Sequence, residues 1–302
     1  MVGSPASGAD RLAAMIAQDA DETDTAADKG PHADLTPGSA RSLLLTILGE
    51  LVWPTGAPAW TSALLAVMAG LGIEERTARQ AIVRASQSNW IVSTRRGREV
   101  SWSLTPEFER VFEEGSRRVV SLGDPYDDWD GSWLILLVTI PHALRASRKK
   151  LYAGLTWAGF GNPAAGVWLS PHPERQAQVG LLIDGLGLSG STMSFIGRVD
   201  DVGLDEAHIV EQGWDLTALA ARYAAVDEAF RDAHPARGDE TLYAHIRLLS
   251  EWQTFPFSDP QLPDALAPDW IGRRVSGHIE RLRERWSDDV HARWAELNTP
   301  AG

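Results

Sequence analysis

The chain has 302 residues, no cysteine and a formal net charge of −13. That length allows two or three domains with ample core, and the lack of thiols excludes disulfides and limits any metal site to His or carboxylate ligands. No basic region followed by an apolar stretch opens the chain, so no secretory signal is expected. The longest strongly apolar run, Trp133–Pro141, falls well short of the roughly 20 residues of a membrane helix, and a soluble cytoplasmic protein is expected.

Residues 1–36 are rich in Ala, Asp, Gly and Ser and read as a disordered acidic tail, with Leu12–Gln18 as a short helical candidate. A helix is expected over about Ser39–Val52, burying Leu44, Ile47, Leu48 and Leu51 at helical spacing. Trp53-Pro54-Thr55-Gly56 breaks it, because proline cannot extend a helix. A second helix carries Trp60, Leu64, Val67, Met68 and Leu71 toward the same core, and Gly72 supplies the tight bend after it.

The next helix, about Glu74–Asn89, carries two patterns. Ala78, Ala81, Ile82 and Ala85 form the stripe a helix buries. Arg76, Thr77, Arg79, Gln80, Val83, Arg84 and Gln87 fall on the other face, and forked Arg and Gln donors match guanine and adenine edges. Glu74 and Glu75 suit the positive helix N-terminus but would repel a phosphate facing them. Val100, Trp102 and Leu104 alternate with Glu99, Ser101 and Ser103 as a half-buried strand paired with Ile91-Val92, with Arg95, Arg96, Gly97 and Arg98 at the hairpin tip. Helices and basic hairpin in this order predict a winged helix-turn-helix over residues 37–120, with double-stranded DNA as its partner. A homodimer follows from the same logic, since such proteins read two half-sites about 34 Å apart.

The negative net charge is compatible with that reading once divided by region. Residues 1–35 carry −5, whereas residues 73–105 hold six arginines against Glu74, Glu75 and Glu99, a balance of +3. Counterion release depends on local contacts rather than on whole-chain charge.

Pro106 opens a further helix through about Arg118, and residues 121–131 read as a linker. Its Asp-Asp-Trp-Asp-Gly run lacks the ligand spacing of a calcium loop. Residues 132–203 alternate strand and helix: a buried strand over Trp133–Ile140, a basic helix over Leu144–Ala158, a strand over Gly166–Ser170, a helix from Pro173 to about Leu182 and a strand near Thr192–Val199. This is a small α+β sandwich. Gly185-Leu186-Gly187-Leu188-Ser189-Gly190 matches a dinucleotide fingerprint in spacing but follows a helix and precedes a strand, so it reads as a turn. Residues 204–302 read as helical, with Phe255–Pro260 as a fixed turn. A long last helix over about Ile271–Leu297 carries a stripe from Val275 to Leu297 that either packs within the domain or dimerises.

No phosphate-binding loop, no nucleophile elbow and no i, i+4 histidine pair occurs. Nothing nominates catalytic residues, a metal or a cofactor, and the expectation is a non-enzyme.

The segments Ala40–Gly49, Trp53-Pro54 and Gly72–Arg79 resemble the N-terminal domain of the PaaX-like family, repressors of phenylacetate-degradation operons. The resemblance continues through Asp130–Leu134, Trp157–Gly161 and Gly166–Pro171, and returns at Glu251–Pro263 and Pro268–Trp270. It implies a winged-helix reader, a central ferredoxin-like domain, a helical C-terminal domain, and release from the operator by an aryl-acyl-CoA such as phenylacetyl-CoA. Such an effector needs cations for its phosphates and an aryl pocket, for which Arg145, Arg148, Lys149 and Trp168 are the candidates. A regulator of another pathway with a different small-molecule effector, or an interaction protein that does not bind DNA, fits the same residues.

Overall fold

The structure, a computed structural model, describes residues 36–122 and 129–300. The expected tail, with its Leu12–Gln18 helix, and most of the expected linker lie outside the described residues. The protein is a mixed α+β chain with two antiparallel sheets, organised as two compact units. One comprises the described residues up to Val119 together with Val226–Thr254 and those from Gly277 onward; the other comprises Val120–Ala225 and Phe255–Ser276.

In the first unit, α1 (Ala40–Ile47) starts at Ser39, whose side chain accepts from the Ser42 amide, and continues into a π-helical turn at Leu48–Val52. Strand β1 (Ala59–Trp60) leads into α2 (Thr61–Gly70). Gly72, at φ +90°, and the Ile73 N–H, which donates to the Met68 carbonyl, close α2 in a Schellman-type turn. α3 (Glu75–Gln87) ends at Asn89, whose φ of 57° is the left-handed conformation that asparagine tolerates. β2 (Ile91–Arg96) and β3 (Glu99–Leu104) form a hairpin, and β1 pairs on the far edge of β3 to give the order β1-β3-β2. α4 (Pro106–Ser121) begins after Thr105, whose hydroxyl accepts from the Phe108 amide and donates to the Asn89 carbonyl.

The core of this unit joins Leu44, Ile47, Leu48, Leu51, Leu64 and Met68 to the Ala78–Ile82 face of α3 and to Trp90. Trp90 stacks on Phe108 at 4.7 Å, and the Arg41 guanidinium lies 4.6 Å from the Trp90 ring centre. The alternation expected in β3 is altered: Ser101 is buried, while Val100 and Trp102 are half-buried. β3 is the central strand of its sheet, Ser101 is small enough to donate to the Thr94 carbonyl, and the Trp102 indole N–H donates to the Thr61 hydroxyl.

C-terminal segments complete the same unit. The Ser250 hydroxyl of α9 (Asp239–Trp252) lies 3.0 Å from that of Ser42, and the Gln253 amide donates to the Ser42 hydroxyl at 2.9 Å. At the end of α10 (Ile271–Leu297), Asn298 accepts from the Trp60 amide at 2.8 Å and donates to the Pro58 carbonyl at 3.0 Å, which ties β1 down. Arg283 of α10 forks onto Glu50, whose carboxylate also lies 3.5 Å from Nε2 of buried His245. Burial raises the Glu50 pKa, but the His245 hydrogen bond and the nearby Arg283 and His245 charges outweigh it and hold the carboxyl below its ordinary range.

The second unit contains β4 (Trp133–Val138), α5 (Ser147–Trp157), β5 (Gly161–Ala164), β6 (Val167–Ser170), α6 (Gln176–Gly185) and β7 (Thr192–Gly197). The sheet order is β5-β6-β4-β7, antiparallel throughout. β4 is covered on both faces, which explains its unbroken apolar sequence. Leu134 and Leu136 pack with α5 and α6 residues, whereas Trp133 packs with Val210 of α7 (Glu206–Gly213) and with Leu262. β5 has no sequence counterpart among the expected strands, because Asn162-Pro163 breaks the apolar pattern and its pairing is bulged. Gly161 leaves room for Trp214: a Cβ there would lie 2.6 Å from the indole. The stretch read as a turn is one, with Gly187 at φ +69° and a 3-10 turn at Ser189–Ser191 leading into β7.

The segment after Phe255 is held by polar contacts rather than by helix. Asp259 accepts from the Tyr223 hydroxyl at 2.7 Å and the Trp270 indole at 2.9 Å. His172 Nε2 faces the carbonyls of Pro260 and Gln261 at 3.0 and 3.1 Å, so that nitrogen carries the proton. α8 (Leu216–Phe230) and α10 each run across the division between the units.

Candidate nucleic-acid interface

α3 separates its two faces cleanly because its buried stripe is built from small residues. Ala78, Ala81, Ile82 and Ala85 are buried, and Arg76, Thr77, Arg79, Gln80, Val83, Arg84 and Gln87 are all exposed. With Glu75, all of these exposed residues except Thr77 border one open surface hollow. The helix has no side-chain N-cap, and its only first-turn acid is Glu75.

Glu75 does not stand alone against that face. Both Nε and Nη2 of Arg79 donate to Glu75 Oε1, each at 2.8 Å. The pair is solvent-exposed and adds only a few tenths of a kcal/mol to the helix. Its electrostatic effect is larger than its energy, since it cancels one arginine and one carboxylate on the surface.

The hairpin presents the second basic group. Arg95, Arg96 and Arg98 are exposed, and Arg95 Nε donates to the Gly97 carbonyl at 3.2 Å across the tip. Gly97 sits at φ +63°, a conformation that glycine adopts without strain, between β2 and β3. The Cα register places Arg96 opposite Glu99 and Arg95 opposite Val100. Among the described residues, Arg76, Arg84, Arg95, Arg96 and Arg98 have no carboxylate within ion-pair distance. Six arginines therefore lie on one helix face and one hairpin, and among the described residues only Arg79 pairs with a carboxylate.

The second candidate cluster is only partly assembled. Arg145 and Lys149 are exposed beside the first turn of α5, and Trp168 is buried in the core on β6. Tyr152, which the sequence pattern did not single out, connects two members of the set. Its ring meets Trp168 edge-on at 4.8 Å, and the Arg148 guanidinium lies 5.2 Å from its ring centre with Nη2 3.4 Å from its hydroxyl. Among the described residues no cluster of three or more His, Asp or Glu is placed to hold a metal, and no helix is long and apolar enough to cross a membrane.

These features define a two-unit α+β protein with an arginine-bearing helix followed by a basic hairpin. Residues 39–108 match the family model described as PaaX-like protein, residues 126–209 the PaaX protein central Cas2-like domain, and residues 211–296 the PaaX-like protein C-terminal domain. The chain belongs to the PaaX-like family. It is 29% identical over 255 residues to the transcriptional repressor PaaX of Escherichia coli (strain K12), covering 80% of this chain and 78% of that protein. Its fold is similar to that of the uncharacterized protein Rv0674 from Mycobacterium tuberculosis, with a TM-score of 0.56 at 20% identity over 87% of this chain and all of that one.

Proposed function

We propose that this chain is a DNA-binding transcriptional repressor of an aromatic-catabolic operon, released by an aryl-acyl-CoA such as phenylacetyl-CoA. The observation that carries the DNA reading is the exposed arginine set on α3 and the β2–β3 tip, five of whose six members have no carboxylate within ion-pair distance among the described residues. On this reading residues 37–120 are a winged helix-turn-helix. Arg76, Thr77, Arg79, Gln80, Arg84 and Gln87 face the major groove, and Arg95, Arg96 and Arg98 hold phosphates or the adjacent minor groove.

The repressor role rests on family membership and on the similarity to the Escherichia coli transcriptional repressor. We read residues 121–131 as a linker. The sheet order β5-β6-β4-β7 with two helices on one face supports a ferredoxin-like reading of residues 132–203, and residues 204–302 are the helical part. Arg145, Arg148 and Lys149 supply cations for CoA phosphates, with Tyr152 and Trp168 behind them. A homodimer places two α3 helices on two half-sites. Effector binding lowers operator affinity only to the extent that it favours a conformation poorly matched to DNA.

The test is binding of a labelled duplex covering the DNA upstream of the gene, with and without phenylacetyl-CoA. Specific retention that the thioester relieves, and free phenylacetate does not, is the expected result. No preference for that duplex over unrelated DNA contradicts the repressor reading; retention that the thioester leaves unchanged contradicts the effector assignment.

A further inference from the structure

Val83 is half exposed, at 50%, in the middle of the polar face of α3. Its helical neighbours are Arg79 and Gln80 on one side and Ser86 and Gln87 on the other, and Arg84 borders the same surface hollow. The buried stripe of α3 is already filled by Ala78, Ala81, Ile82 and Ala85, so Val83 has no core to enter. Valine is also a poor choice for an exposed helix position on propensity alone, because its branched side chain loses rotamer freedom there. An isopropyl group bordered by guanidinium and amide groups has one use that its neighbours cannot supply, which is apolar contact.

The major groove offers one apolar group on its base edges, the C5-methyl of thymine. We infer that Val83 reads a thymine methyl within each half-site, while Gln80, Arg84 and Gln87 address the flanking base pairs by hydrogen bonding. This rests on the proposed DNA reading and deepens it, since it turns a basic helix face into one with a stated base preference. The Glu75–Arg79 pair supports the same placement. It removes net positive charge next to Val83, so this part of the face is not drawn to phosphate and suits the floor of the groove instead.

The experiment uses the full chain and a random-sequence duplex pool. Duplexes retained by the wild-type protein are sequenced and the selected site is resynthesised with dU replacing dT one position at a time, which deletes only the methyl group. Binding is measured for wild type and Val83→Ala; thermal unfolding of the variant is unchanged or slightly raised, because the side chain fills no core and alanine is the better helix former. The expected result is one thymine per half-site whose replacement weakens wild-type binding about fourfold, the equivalent of about 0.8 kcal/mol for one buried methyl, and leaves Val83→Ala unaffected. Tolerance of dU at every position, or an equal penalty in both proteins, overturns the assignment of Val83 while leaving DNA binding intact. Failure to enrich any sequence overturns the DNA reading itself, and the two failures are told apart by whether a consensus emerges.

Discussion

Replacing Arg96 and Arg98 together by alanine removes two of the five arginines of this face and hairpin that have no carboxylate partner among the described residues, without touching the core. Both side chains are exposed, and the hairpin ladder between β2 and β3 is made by backbone groups. Fold stability is therefore expected to stay within about 0.5 kcal/mol of wild type. Each phosphate contact contributes about 0.9 to the slope of log K against log salt, so loss of two makes the slope shallower by about 1.8. Over the fourfold change from about 50 to about 200 mM salt, that slope difference shrinks the wild-type advantage about twelvefold. Fluorescence anisotropy of a labelled duplex across that salt range reads the slopes directly. Parallel slopes for wild type and double variant refute the reasoning, because they leave these arginines off the phosphates.

Two further outcomes are expected from the fold. Gly166→Ala forces an L side chain to φ +77° and sets its Cβ 2.9 Å from the Val138 carbonyl oxygen; a loss of about 1–3 kcal/mol in a urea unfolding series is expected, and a neutral result removes the strain argument. The Glu50 carboxyl is held below its ordinary value of 4.5, so its contribution is full above that value and is lost as pH falls through the folded-state value. Glu50→Gln is expected to flatten the acid limb of the urea midpoint against pH, and an unchanged limb contradicts the Glu50–Arg283–His245 account.

The face of α3 was legible because small residues at i, i+3, i+4 and i+7 leave only one side to bury, and the buried set is the expected one. The hairpin tip was legible for a different reason: Arg96-Gly97 needs a left-handed glycine to turn between two strands. The neutralisation of Glu75 was not legible. Its spacing to Arg79 permits an i, i+4 pair, but sequence does not say whether the arginine turns to the carboxylate or to solvent. Strand β5 was hidden by Asn162-Pro163, and at its start Gly161 makes room for Trp214, a residue far away in sequence. The assignment of residues 226–254 and 277–300 to the unit that carries α3 was equally invisible. The stripes Leu242–Leu249 and Ile279–Val290 show that these helices are buried but not against which partner, and polar contacts such as Asn298 to Trp60 and Gln253 to Ser42 leave no periodic trace. Val83 was visible on the face but reads as one more exposed position until its exposure is set against the filled stripe behind it.

Site-specific photo-crosslinking tests the central claim most directly. A benzophenone side chain is placed in turn at Gln80 on α3, at Arg98 on the hairpin and at exposed Asp201 after β7, and each protein is irradiated with labelled duplex DNA. The account predicts covalent capture of the duplex from positions 80 and 98 and none from 201. Capture from 201 alone, or none from 80, contradicts it.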